Sequence, residues 1–252
     1  MSSAHASHAA GGTPTAYHSA PYWDARYTQS LAEHKTSFEW YGPLDQFAAI
    51  ISRHVDPSAR VLQLGAGNSP LAADLVHRGH TGDIVNIDIS STVVAHMAHQ
   101  HRSDGPAPLP HSVSWVVADC TALPHSPPVE DGSFDAVLDT GTVDALMCGG
   151  DTTANVSACR KEVQRLLRAP GTGTVPCFIV ITYGDPESRV RWFSDTPEGW
   201  DVCVYATPKV PQGGQHPSLL GPVQVTGSDD WRDQTKAWLA EDLHFVYVCR
   251  RV

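Results

Sequence analysis

Positive charge is scarce in this chain: 17 lysines and arginines stand against 27 aspartates and glutamates in 252 residues, a net charge of -10. No run of Lys or Arg occurs, so a surface that tracks nucleic-acid phosphates is not expected, and a basic protein patch or a small molecule is the better partner. Cysteine is sparse too. Cys120, Cys148, Cys159, Cys177, Cys203 and Cys249 are scattered with no Cys-x-x-Cys pair, which argues against a zinc knuckle or a disulfide framework and for a reducing, cytoplasmic setting. Long apolar runs are missing, so no bilayer-spanning segment and no membrane partner is expected. The first eighteen residues contain no Lys or Arg and no apolar run, and read as a disordered tail rather than a secretory or transit leader. The 14 histidines lie mostly in that tail or on helix faces, as in Val94-Ala-His96-Met-Ala-His99-Gln-His101, and read as solvated side chains rather than metal ligands.

What is present begins with Arg60-Val-Leu-Gln-Leu-Gly-Ala-Gly-Asn-Ser69. This is a short buried strand that breaks at Gly65 and Gly67, where missing Cβ atoms let backbone approach a ligand, followed by a helix from Leu71 to Arg78. The next apolar run ends in Asp88, where a carboxylate can accept both hydroxyl protons of a ribose. An adenosine-bearing cofactor is implied. The third glycine of a dinucleotide fingerprint is replaced by Pro70, and no Gly-Lys-Ser/Thr follows Gly67, which disfavours pyrophosphate and ATP. S-adenosyl-L-methionine, a nucleoside carrying a sulfonium and an amino acid in place of phosphates, fits best.

Apolar runs then alternate with helical patterns. Strands are expected at Val61 to Leu64, Ile84 to Asp88, Val113 to Ala118, Phe134 to Leu138 and Cys177 to Thr182, with helices at Leu71 to Arg78, Thr92 to His101 and Thr153 to Arg168. That alternation calls for a doubly wound, mostly parallel α/β sheet in one domain, residues 19–252. A helical cap, about 19–56, precedes it. Val202 to Ala206 and His244 to Cys249 read as further strands able to pair as an antiparallel edge, around a short helix from Asp230 to Glu241. The Pro/Gly-rich stretch Thr207 to Gly227 is long for a structureless loop and reads as either a substrate-contacting element or disorder.

In open parallel sheets ligands bind beyond the carboxyl ends of the strands, so Gly65, Asp88, Asp119 and Asp139 should converge on one crevice. Asp119 could accept from an adenine amino group and the Cys120 amide could donate to a ring nitrogen. Each aspartate taken singly also suits a helix cap.

Tyr22-Trp-Asp-x-Arg-Tyr27, the Trp40 segment, Leu62-x-Leu-Gly-x-Gly-Asn-Ser69, Asp88-x-Ser-x-x-Val-Val94-x-x-Met97 and Phe134-Asp-x-Val-Leu-Asp-x-Gly-Thr-x-Asp-Ala145 resemble the seven-stranded lysine methyltransferases that act on elongation factor one-alpha, and their citrate synthase relative. The resemblance implies a Rossmann-like methyltransferase sheet of seven strands with an antiparallel C-terminal strand. It implies that Trp23, Tyr27 and Trp40 close over S-adenosyl-L-methionine, that Gly65, Ala66, Gly67 and Asn68 approach it, that Asp88 and Ile89 hold the ribose, and that Asp119 and Cys120 meet the adenine. The family usually has Lys where Thr140 stands and often has Cys where Ala66 stands; the first departure removes a cation beside the crevice. For a lysine acceptor, Asp139 is the first candidate to place an amine or receive its proton, and Asp144 the second. The reading is a protein lysine methyltransferase acting on a basic patch, with a translation factor as one candidate. A small-molecule methyltransferase, a non-catalytic module of the same fold and a dehydrogenase remain alternatives.

Overall fold

The computed structural model describes residues 16–251 apart from 18, 36, 111, 150, 172–174, 195–198, 210–218 and 228–229. Its frame is an eight-stranded sheet. In chain order the strands are β1 (Val61–Leu64), β2 (Ile84–Asp88), β3 (Val113–Val117), β4 (Ala136–Thr140), β5 (Cys177–Thr182), β6 (Trp200–Pro208), β7 (Leu220–Gln224) and β8 (Leu243–Arg251). They lie side by side as β3-β2-β1-β4-β5-β8-β6-β7. The first five are parallel to one another, and β8 runs antiparallel between β5 and β6. The order in which strands are added reverses between β1 and β4, the place where such sheets open a crevice at their carboxyl edge.

The central strands are near-continuous apolar runs because both sheet faces are covered: β1 and β5 are buried at every position. One core cluster packs Leu62, Leu64, Phe178, Val180 and Tyr247 against one face, and a second packs Val61, Ile84, Ile179 and Tyr205 against the other. Each such side chain contributes about 1.5–3 kcal/mol when removed from water. The helices are α1 (Ala20–Ala32), α2 (Ala48–His54), α3 (Leu71–His77), α4 (Ser91–His101), α5 (Thr142–Met147), α6 (Thr152–Leu166), α7 (Pro186–Arg189), α8 (Arg191–Ser194) and α9 (Trp231–Thr235), with 3-10 turns at Leu44–Gln46 and Lys236–Ala240.

Helix α1 buries no residue. It is held by its aromatic side chains and by contacts with α4, so it belongs to the least stably anchored part of the molecule. None of the helices among the described residues is long and apolar enough to cross a membrane.

Several expectations are corrected. The stretch 207–227 is not structureless at its ends: Thr207 and Pro208 finish β6, and Leu220–Gln224 is an edge strand pairing with β6, which raises the strand count from seven to eight. Residues 210–218 of that stretch lie outside the described residues, as do 1–15 and 18 of the expected tail. Tyr17 of that tail is packed: its carbonyl accepts from Trp23 Nε1 at 2.7 Å and its ring stands edge-on to Tyr22 at 5.1 Å. The fourth strand starts two residues later than expected. Phe134 makes only an isolated bridge to Leu167, and its fully buried ring plugs the core instead of joining the ladder. The terminal helix is split into α9 and a 3-10 turn.

Candidate active site

The carboxyl edge is assembled from four turns. After β1, Gly65 and Gly67 both take positive φ, +51° and +54°, and a Cβ on either would collide, at Gly65 with the Thr142 hydroxyl and at Gly67 with the Tyr27 hydroxyl. Ala66 and Asn68 between and beyond them are buried. Asp88 ends β2 and ties that turn down: its Oδ2 accepts from the Gly67 amide at 2.9 Å and its Oδ1 from the Ser90 amide at 2.8 Å. Burial pushes this carboxyl up to about 6, against the pull of those two amides. Each carboxylate oxygen keeps a second lone pair for hydroxyl donors. Ile89 follows, half-buried between Asp88 and the start of α4.

The corner after β3 packs on the sheet end beside Asp88. The Ala118 amide donates to the Asp88 carbonyl, which sets Asp119 next to it, exposed and accepting from the Thr121 amide and hydroxyl at 2.8 and 2.7 Å. Cys120 is buried, and its thiol is pushed up first by the Cys159 thiol beside it and then by burial, so its side chain belongs to the core and its backbone to the edge.

Asp139 stands opposite Leu64 in the β1–β4 register. It is fully buried and accepts from the Thr142 amide at 2.7 Å and the Val143 amide at 3.3 Å, closing the turn into α5. Burial first, then the charge of Asp144, pushes it up to about 7. Asp144 is buried and saturated with donors: the Tyr41 hydroxyl, the Thr182 hydroxyl at 2.7 Å and Arg189 through Nη2 at 2.9 Å and Nε at 3.2 Å. The two carboxylates that the sequence offers for proton transfer are thus both sealed beneath the crevice. Thr140 is half-buried at the tip of β4.

The N-terminal cap closes the rim. Trp23 stacks on Tyr27 with ring centres 5.8 Å apart, and stands edge-on to Trp40 at 6.4 Å. The loop after α1 is fastened to the glycine turn, with the Phe38 amide on the Asn68 carbonyl, Asn68 Nδ2 on the Lys35 carbonyl at 3.2 Å, and the Ser69 hydroxyl on Glu39 at 2.5 Å. Burial pushes Glu39 up to about 7.

Several positions lie beyond the reach of the sequence reading. Asp24 of α1 accepts from the Ser90 hydroxyl at 2.6 Å and the Thr92 amide at 3.1 Å, capping α4 from across the crevice; these bonds hold its carboxyl below the usual range. The place of Asp24 inside the Trp23–Tyr27 segment is a signal for this role. Tyr41, Thr182 and Arg189 carry none, since only the fold brings them to Asp144.

Trp23, Tyr27, Trp40, Gly65, Ala66, Gly67, Asn68, Asp88 and Ile89 therefore meet on one edge, with Asp139 directly beneath. The residues present suit an adenosine-bearing sulfonium: backbone bared at two glycines, a buried carboxylate with spare lone pairs at the end of β2, and an aromatic cover. Among the described residues no three His, Cys, Asp or Glu side chains come together as metal ligands.

A family model described as a methyltransferase domain matches residues 62–174. With this fold and edge, the chain is a class I S-adenosyl-L-methionine-dependent methyltransferase. EEF1A lysine methyltransferase 4 of Mus musculus is 32% identical over 194 residues, covering 74% of this chain and 69% of its own. The eEF1A lysine and N-terminal methyltransferase of Homo sapiens is 32% identical over 189 residues, and this chain spans 25% of that longer protein. The chain belongs to this family of protein lysine methyltransferases. Among solved structures, one described for the conversion of a disulfide bond into a thioacetal group in echinomycin biosynthesis has a TM-score of 0.53 at 14% identity, covering 90% of this chain and 92% of its own, and shares the fold. The cyclase SpnF has a TM-score of 0.50 at 17% identity, covering 85% and 83%.

Two substitutions probe the rim. Asp24→Ala removes the acceptor at the start of α4, a loss of about 1 kcal/mol, and frees α1; KM for the cofactor rises several-fold while kcat at saturation changes little in steady-state assays. Gly67→Ala forces φ +54° on a residue with a Cβ, costing about 1 kcal/mol, and displaces the Tyr27 hydroxyl. Calorimetry with S-adenosylhomocysteine then shows about tenfold weaker binding, the equivalent of about 1.4 kcal/mol.

Proposed function

We propose that this methyltransferase modifies a lysine side chain on a basic surface of a protein, with elongation factor 1A the first candidate, and that it works in the cytoplasm. The observation that carries the reading is the convergence of the glycine turn, Asp88 and the aromatic cap at the reversal point between β1 and β4. The relatives' names point to the acceptor, the charge of -10 favours a basic partner, and six free cysteines suit a reducing compartment.

When bound, S-adenosyl-L-methionine supplies an electrophilic methyl group on a sulfonium leaving group. The protein's task is placement: holding reactants in near-attack geometry is worth about 7–11 kcal/mol. Gly65 and Gly67 would let backbone approach the cofactor, Asp88 would hold the ribose hydroxyls, Asp119 and Cys120 in the turn after β3 would hold the adenine, and Trp23, Tyr27 and Trp40 would exclude water. A lysine amine must arrive neutral, which at pH 7 costs about 4.6 kcal/mol from a reference pKa of about 10.4. Asp139 and Asp144, sealed below the crevice, act as positioning residues for the turn into α5, so that proton leaves towards solvent as the amine enters a partly apolar mouth.

Incubating the purified protein with methyl-labelled cofactor and either elongation factor 1A or whole-cell extract tests the reading. Label is expected on lysine in a protein fraction. Label confined to small metabolites overturns it in favour of a small-molecule acceptor.

A further inference from the structure

The rim of the crevice already holds a cation. The Arg26 guanidinium lies 5.1 Å from the ring centre of Trp40 and 5.7 Å from those of Trp23 and Phe38. Trp40 is nearly perpendicular to both other rings, at 87° and 88°, so the three form an open box rather than a stack. Phe38 and Trp40 remain 46% exposed, and among the described residues Arg26 has no carboxylate partner. Within the protein its charge rests on these π-faces.

The box also bridges both lips of the crevice. On one side Trp23 stacks on Tyr27, whose hydroxyl lies over Gly67. On the other, Trp40 leads into Tyr41, whose ring would be 3.1 Å from a Cβ at Gly141, in the turn after β4. Anything entering between these turns from this side passes the aromatic faces.

We propose that this box is a docking subsite for the acceptor's cationic side chain and its methylated products, and that Arg26 is a resident competitor which they displace. The inference rests on the lysine reading above. A quaternary ammonium suits the box best because it is weakly hydrated and has no N–H to satisfy, and each added methyl group moves a lysine ammonium towards that limit. Arg26 can leave because its stem rises from a helix that buries no residue. π-Faces favour the charged form, so the box holds the lysine before deprotonation and the product after transfer, and not the attacking amine.

The test uses the full chain and two small probes: Nα-acetyl-trimethyllysine methylamide, and its neutral isostere with carbon in place of the quaternary nitrogen. Ring currents should move the N-methyl proton resonance of the first probe upfield in a saturable manner and leave the isostere unmoved. Arg26→Ala should tighten binding of the cation about two- to fivefold by removing the competing resident cation, and Phe38→Leu should weaken it by a similar factor. Equal binding of the neutral isostere, or an Arg26→Ala variant that binds the cation no better than the parent, overturns the inference. If protein is methylated in the labelled assay while the box shows no cation selectivity, the inference falls and the lysine reading stands; if no protein is methylated, both fall.

Discussion

Replacing Asp144 with alanine should lower the unfolding free energy by about 3–5 kcal/mol, the cost of leaving a buried guanidinium without its partner. Arg189 is only 8% exposed and directs two nitrogens at this carboxylate. The Tyr41 and Thr182 hydroxyls lose their acceptor at the same time. These partners come from three elements, the cap, β5 and α7, so the loss loosens the joint that fixes the cap to the crevice. Denaturant unfolding followed by tryptophan fluorescence gives the number. A second variant separates the unpaired charge from the rest: Asp144→Leu with Arg189→Met removes both charges and should recover the share of the loss due to the lone guanidinium, while the Tyr41 and Thr182 hydroxyls still lack their acceptor. A milder substitution distinguishes a positioning role from proton transfer. If Asp144 only positions, turnover of Asp144→Asn recovers as temperature is lowered and the folded fraction returns. A kcat that stays depressed in fully folded protein would instead make Asp144 a direct participant.

The parts of this molecule legible in its sequence are those written in local pattern. β1, β2 and β5 begin and end where apolar periodicity places them, since a strand buried on both faces has to be apolar at nearly every position. The glycine turn and Asp88 are legible for a related reason: one strand-to-helix turn with bared backbone demands glycine at fixed offsets. β7 is hidden because it carries Gly221 and Pro222, residues that read as loop; a proline, having no amide to donate, suits a strand at the sheet edge. The polar network under the crevice is hidden for a different reason. Tyr41, Asp144, Thr182 and Arg189 are far apart in sequence, and a buried ion pair leaves no periodicity behind. Asp139 belongs to a strand tip on pattern alone, yet whether that tip faces water or the interior depends on α5 folding back over it.

That burial makes Asp139 the origin of a pH dependence opposite in sign to ordinary acid denaturation. Its carboxyl titrates at about 7 in the folded protein, pushed up by burial and then by Asp144, against 3.8 as the reference value. Between those values the native state binds more protons than the unfolded state, so stability contributed by this group is complete below the unfolded value and is lost as pH rises towards the folded one. The shift corresponds to about 4 kcal/mol across that window at 1.36 kcal/mol per unit. Asp88, raised to about 6 by burial, acts with the same sign over a narrower window. Glu39, raised to about 7 by burial, acts with the same sign, while His54 and His244, both lowered to about 4 by burial, act against it over the same range. The Asp139 contribution is therefore read as the difference between parent and Asp139→Asn in unfolding free energies from urea titrations between about pH 4 and about pH 8. Asp139→Asn keeps the shape and an acceptor for the Thr142 amide while fixing the neutral state, so relative to the parent its unfolding free energy should gain up to about 4 kcal/mol between the low and the high end of that pH range. A profile of the Asp139→Asn variant parallel to that of the parent would mean that Asp139 stays ionised in the folded protein, and that the turn into α5 stabilises its charge far better than its burial suggests. Removing Asp144 should shift the Asp139 transition downwards, because the neighbouring charge that raises it is gone.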